Sequence, residues 1–372
     1  MKSYIKSLDG IRGFGIFFVM AYHFLRLQGV EWTTIGFSWI WIQMFFVQSG
    51  FLITQILLNS KDQPFQTYAG QFYWRRMLRI FPVYFAYLLA FLLLYIIFHK
   101  PDDFGERAPY LFTFTYNYTR LLPDIEFHST FFIHFWSLSV EEQFYLFWPV
   151  VVFFLDIEKL KKVIVAIILL VPFFRYWFAD HLLAMGFSPE MTGETTYAFT
   201  ISQLDSFMTG AAITVFNLPE KIKRPGRWSL LAIAIVVTAG LTNYALLINQ
   251  GQSISISSLG FSVAMIENYQ HVWSYSLINL LFAVVIVYLI SANYKGIFNN
   301  ALLVRIGKIV YGIYIYHFGI LWVFSTLNKR YIHSLTISFT LACLGTYLLA
   351  FLSYQYYEKK FLSFKDFWNR KN

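Results

Sequence analysis

Apolar residues run along this chain in ten blocks separated by shorter polar stretches. The blocks lie at about 13–27, 37–58, 81–98, 134–155, 163–181, 198–216, 229–249, 272–292, 309–326 and 336–357. Each approaches the roughly 20 residues an α-helix needs to cross a bilayer core. The pattern predicts an all-α, polytopic transmembrane helix bundle of about ten spans, organised as a single integral-membrane domain over 1–372. The longest connection, about 99–133, is rich in Phe and Tyr rather than Ser or Gly. It is expected to pack on the outer face as a partial lid. No repeat, linker or low-complexity segment interrupts the pattern.

Composition agrees. The chain is 58% hydrophobic and only 13% charged, against about 25% charged in soluble domains. Its mean hydropathy is +0.53. The net charge of +9 would suit a nucleic-acid partner, but its distribution argues against one. With a cytoplasmic N-terminus, the inside segments hold Lys2, Lys6 and Arg12, then Lys61, Arg75, Arg76 and Arg79, then Lys159, Lys161 and Lys162, then Lys221, Lys223, Arg224 and Arg227. Lys295, Arg305 and Lys308, and finally Lys359, Lys360, Lys365, Arg370 and Lys371, complete that side. The outside loops hold Asp102, Asp103, Glu106, Asp124, Glu126, Glu190, Glu194 and Glu267. This is the positive-inside bias, and it places both termini in the cytoplasm. Lys329 and Arg330, on an expected outside turn, are the exception. The N-terminus shows no small-residue cleavage site, so it is read as retained. A single cysteine, Cys343, permits no intrachain disulfide and no Cys-based metal site, and no metal is expected.

A few polar residues interrupt the spans. The string LDGIRG, Leu8 to Gly13, opens an apolar helix that carries His23. Arg12 and His23 are 11 residues apart. That spacing returns to within roughly 20° of one helix face and separates them by about 16 Å. An ionisable side chain in a membrane helix usually has a use. His23 could bond a neighbouring helix, or act as a general base near neutral pH. In FYWRRMLRIFP, Phe72 to Pro82, Arg76 and Arg79 share a face. They could anchor the helix at the interface or grip phosphates with bidentate guanidinium pairs. FWSLSVEEQFYLFWP, Phe135 to Pro149, carries Glu141 and Glu142, which point about 100° apart. Either carboxylate could pair with Arg12 or Arg175, or could orient His23. Asp9, Arg175 and Asp205 are further buried polar candidates, the last two read as structural partners. Tyr314 and His317, three apart in GKIVYGIYIYHF, could form a packing cluster or share in catalysis.

Five segments in order resemble the membrane-bound acyltransferase 3 family of bacterial surface-glycan O-acyltransferases. They are LDGIRG with Arg12 and His23, FFVQSGFLIT from Phe45, the RxxR pair Arg76 and Arg79, WSLSVEEQFYLFWP with Glu142 in its Glu-Gln position, and IGKIVYGIYIYH. Gln48 departs from a position where Leu is common. The resemblance covers nearly the whole chain. It implies transfer of an acyl group, usually acetyl from acetyl-CoA, to a hydroxyl of a cell-envelope carbohydrate, in the bacterial cytoplasmic (inner) membrane. The chain stops soon after its last apolar block. It is therefore expected to lack the C-terminal hydrolase-like domain of some members, and a separate extracytoplasmic protein could receive the acyl group.

On this reading Arg76, Arg79 and Arg12 hold the cofactor end of acetyl-CoA. His23 acts as base, and Glu142 stabilises its imidazolium. Transfer is either direct or through an acyl-protein intermediate. The expected partners are the lipid bilayer, acyl-CoA and a surface-glycan or glycolipid acceptor, with no nucleic acid. The rival class is a non-enzymatic glycan or lipid transporter or flippase, which accounts for the spans and buried charges but not for an arginine pair below a histidine.

Overall fold

The structure is a computed structural model, and it describes residues 4–29, 36–101, 103–122, 131–262, 265–291, 294 and 296–365. Of the topology residues above, Lys2, Asp102, Asp124, Glu126, Lys295, Arg370 and Lys371 lie outside these. The described residues form helices and turns without a strand. In order they are α1 (Lys6–Leu27), α2 (Ile40–Asn59), α3 (Phe65–Phe98), α4 (Phe104–Phe112) and α5 (Phe135–Phe154). There follow α6 (Ile157–Ala184), α7 (Pro189–Ala198), α8 (Thr200–Val215), α9 (Leu218–Lys221) and α10 (Pro225–Asn249). The last are α11 (Gln270–Leu289), α12 (Ala301–Lys308), α13 (Val310–Leu327), α14 (Leu335–Ser353) and α15 (Lys359–Leu362).

Among the described residues, eight helical segments are long and apolar enough to cross a membrane. Each of the ten sequence blocks does form a helix, but two fall short of a span by length and composition. Helix α8 has 16 residues, about 24 Å at 1.5 Å per residue, against a hydrocarbon core of about 30 Å. Helix α5 has 20 residues, but Ser137, Ser139, Glu141, Glu142 and Gln143 dilute its apolar character. Conversely, α3 is 34 residues long, about 51 Å. The sequence block began at 81, after the arginines. The structure starts the helix sixteen residues earlier, so Arg76 and Arg79 ride on one continuous helix with the apolar part. Large exposed apolar side chains on α6 and α10, such as Leu169, Leu170, Phe173, Leu230 and Ile235, suit contact with lipid tails.

The chain divides into two compact units that interleave in sequence: Met1–Leu8, Val30–Leu58 and Phe154–Asn300 form the first, and Asp9–Gly29, Asn59–Phe153 and Ala301–Asn372 the second. In the first unit, α2 and α8 cross at two glycines. A Cβ on Gly50 would strike the Phe207 carbonyl, and one on Gly210 the Val47 carbonyl. Small residues at a crossing let membrane helices approach backbone to backbone. Gln48 takes up the departure seen in the sequence: its amide donates to the Leu8 carbonyl at 3.0 Å.

The second unit repeats the device. A Cβ on Gly13 would strike the Leu303 carbonyl, and one on Gly307 the Asp9 carbonyl. The opening LDGIRG string and the late IGK string are therefore two sides of one helix contact. Lys329, the topological exception, donates to the Leu27 carbonyl at 2.8 Å, capping the negative end of α1. Among its described residues, the Phe- and Tyr-rich connection holds α4 and a 3-10 turn, and Gln143 of α5 clamps it. Gln143 donates to the Phe114 carbonyl at 2.8 Å and the Asn117 side chain at 3.0 Å, and accepts from Tyr118 at 2.8 Å.

Candidate active site

Three helices of the second unit, α1, α5 and α13, each carry polar residues at two levels. One level is basic. Arg12 lies 3.7 Å from Asp9 on the preceding turn and within electrostatic range of Arg79, Glu141 and Tyr145. The Arg76 guanidinium stacks over the Tyr145 ring, 4.8 Å from its centroid, and the Tyr145 hydroxyl donates to Glu141. Glu142 lies within electrostatic range of Arg76, Tyr84 and Tyr311. Arg79 also senses Glu358, whose carboxylate accepts from Ser353 at 3.2 Å. Arg76 and Arg79 are half-buried. Neither has a salt bridge or a hydrogen bond among the described residues. Clustered guanidinium groups repel one another and hold unused donors, which is the electrostatics of an anion site.

The other level is a histidine cluster. The His23 ring lies 5.3 Å from His317 and 4.8 Å from Phe318. His134 lies 4.7 Å from His317 and stacks on Phe318 at 5.4 Å. Tyr314 donates to the His134 carbonyl at 2.7 Å, and its hydroxyl is 2.5 Å from that of Ser137. His317 Nδ1 is 2.7 Å from the Tyr314 carbonyl. A carbonyl only accepts, so Nδ1 carries the proton and neutral His317 keeps its lone pair on Nε2. Nδ1 of His23 is buried and has no hydrogen-bond partner among the described residues.

The structure brings together Arg12, Arg76, Arg79, Asp9, Glu141 and Glu142 at one level, and His23, Tyr314 and His317 at the other. It does not bring Glu142 to His23. His134 and Glu142 are eight residues apart on the same stretch, about 12 Å along the axis, and His134 occupies the level of His23. Two further imidazoles stand where a carboxylate was expected. Arg175 and Asp205 lie in the first unit and pair with each other at 2.6 Å. His134 was missed, although the sequence carried the signal: an ionisable residue at the first position of the fourth apolar block.

Comparison with known proteins gives the same answer at the level of family. A family profile described as an acyltransferase domain matches residues 5–355. The peptidoglycan O-acetyltransferase OatA of Listeria monocytogenes serovar 1/2a is 27% identical over 382 residues, covering 96% of this chain and 56% of the relative. The O-acetyltransferase OatA of Staphylococcus aureus strain NCTC 8325 is 24% identical over 373 residues, covering 95% of this chain and 57% of the relative. The chain thus spans somewhat over half the length of these curated relatives. No solved structure matches. With the motifs, the helical architecture and a profile match over nearly its whole length, this multi-pass membrane protein belongs to the acyltransferase 3 family.

Proposed function

We propose that this protein transfers an acetyl group from cytoplasmic acetyl-CoA to a hydroxyl of a cell-envelope carbohydrate. The observation that carries the reading is the pair of half-buried guanidinium groups, Arg76 and Arg79, without a salt bridge or hydrogen bond among the described residues, on the unit that also holds the histidine cluster. Arg12 and His23 tie the two levels together across about 16 Å of one helix. Phosphates of the donor bind Arg76 and Arg79, with Arg12 adding positive field. The extended arm of the donor then runs along α1 towards His23.

At the histidine level, His23 takes the proton of the acceptor hydroxyl. The hydroxyl oxygen attacks the thioester carbonyl, the carbon–sulfur bond breaks, and the CoA thiolate leaves and takes up a proton. His317, fixed in one tautomer by Tyr314 and beside the His23 ring, takes the role of stabilising the imidazolium that was expected of Glu142. Glu142 belongs to the donor level, beside Arg76. The relatives, named as O-acetyltransferases, one of them of peptidoglycan, support an envelope-glycan acceptor, with peptidoglycan the first to test. The bacterial cytoplasmic membrane is the location, with both termini on the cytoplasmic face. A separate extracytoplasmic protein is a further candidate to receive the acyl group.

The test is His23→Gln in purified protein reconstituted in nanodiscs. Gln keeps much of the size and hydrogen bonding but cannot accept a proton. Transfer should fall by about two to four orders of magnitude while CoA binding is retained. Near-normal transfer by a well-folded His23→Gln protein would remove His23 as base. Absence of any acetyl transfer or acetyl-CoA hydrolysis by the wild type would favour a transporter.

A further inference from the structure

The first unit contains a second set of buried polar groups that the proposed transfer does not use. Arg175 on α6 and Asp205 on α8 are fully buried. Arg175 Nη2 donates to Asp205 Oδ2 and to Ser276 Oγ on α11, each at 2.6 Å, and Ser276 also donates to Asp205 at 2.6 Å. That leaves Arg175 Nε and Nη1, with three N–H donors, and Asp205 Oδ1 without hydrogen-bond partners. The same is true of the Ser202 hydroxyl one turn before Asp205, the hydroxyls of Ser274 and Tyr275, and both side-chain atoms of Asn279. Ser202, Ser274, Tyr275 and Asn279 all have no measurable exposure.

Part of the set gathers around Arg175. Tyr275 and Asn279 are four apart and lie on one face of α11. The Arg175 guanidinium sits 5.0 Å over the Tyr275 ring. The rings of Trp39, Tyr197 and Tyr275 surround one another at 5.3–5.5 Å, edge to face. Buried polar atoms in folded proteins are almost always hydrogen-bonded, and a concentration of exceptions signals a missing partner such as water or a ligand. Binding sites have this make-up: aromatic walls with a few convergent polar groups.

We propose that this buried face of the first unit binds a hydroxyl-rich carbohydrate group. The charges select for it. Arg175 and Asp205 neutralise each other, so an anion meets Asp205 and a cation meets Arg175. An apolar ligand would leave every orphaned atom unpaired. A sugar hydroxyl donates and accepts at once, matching the mixture of guanidinium donors, a carboxylate acceptor, an amide and hydroxyls. The aromatic trio supplies apolar faces for the ring carbons. The inference rests on the proposed carbohydrate acceptor only for its choice of probe.

The test uses the full chain in nanodiscs, titrated with a β-1,4-linked N-acetylglucosamine tetramer and, separately, with CoA. Wild type should bind the tetramer saturably. Asn279→Leu, close in size but apolar, should weaken that binding by about tenfold or more, the scale of lost buried hydrogen bonds. Its thermal midpoint should be equal or higher, because unpaired buried polar atoms have been removed. Ser274→Ala should weaken binding in the same direction and decides the matter if Asn279→Leu does not fold. Absence of saturable tetramer binding to wild type overturns the proposal. So does equal affinity in both variants, the result expected if the face holds only water. Loss of CoA binding with tetramer binding intact would instead count against the donor site.

Discussion

Arg79→Ala tests the donor site most directly, because the two readings of the basic cluster predict different CoA affinities. Arg79 is half-buried, has no hydrogen bond or salt bridge among the described residues, and lies in the field of Arg12. As an anion site, it contributes about 1.5–3 kcal/mol to binding through charge-assisted hydrogen bonds. Its removal should raise the CoA dissociation constant by about 10- to 150-fold, since each 1.4 kcal/mol is tenfold. Meanwhile the ligand-free protein loses both the repulsion from Arg12 and the attraction to the buried Glu358 carboxylate, which oppose one another, so its thermal midpoint should move little. Arg76→Ala should lose as much affinity, plus the stacking on Tyr145, worth about 0.5–1 kcal/mol. Lys at either position should restore part of the loss, since it keeps the charge but not the bidentate geometry. The assay is calorimetric titration of CoA into nanodiscs with thermal midpoints read on the same samples. Unchanged CoA affinity together with a lowered midpoint would refute the donor site and leave a structural anchor.

Three further outcomes follow from the geometry. Gly307→Ala should destabilise by about 1–3 kcal/mol, because its Cβ meets the Asp9 carbonyl and backbone must move; a thermal midpoint equal to wild type would contradict the α1–α12 contact. Gln143→Leu should cost about 2–4 kcal/mol by removing three hydrogen bonds of the clamp, and it should speed proteolysis between α4 and α5. Reporter fusions at Asn372 and in the loop at Asp102 should report opposite sides of the membrane; the same side for both would overturn the orientation and the direction of donor entry.

Much of the candidate site was legible because its residues follow local spacing. Arg12 and His23 sit on one helix by period alone, and the Arg76–Arg79 pair shares a face by the same rule. Polar residues in apolar runs announce themselves, since membrane burial without a use is costly. The same criterion, applied to His134, would have found the third imidazole. Adjacency in a motif says nothing about level along a helix, so the sequence alone could not set the height of Glu142. Eight residues of α5 separate it from the histidines, and only the packing of α1, α5 and α13 shows which side chains share a height.

The sequence by itself determined what repeats with a short period or follows from composition: membrane helices, their approximate limits, the sorting of charge and the family motifs. Hydrophobic periodicity and backbone hydrogen bonding act within a few residues, so they are written locally. Tertiary structure decided the partnerships. Arg175 chose Asp205, thirty residues away, and Gly13 and Gly307 met across nearly the whole chain. Such pairings depend on helix crossings, which are set by the summed packing of many side chains and by where small residues allow close approach.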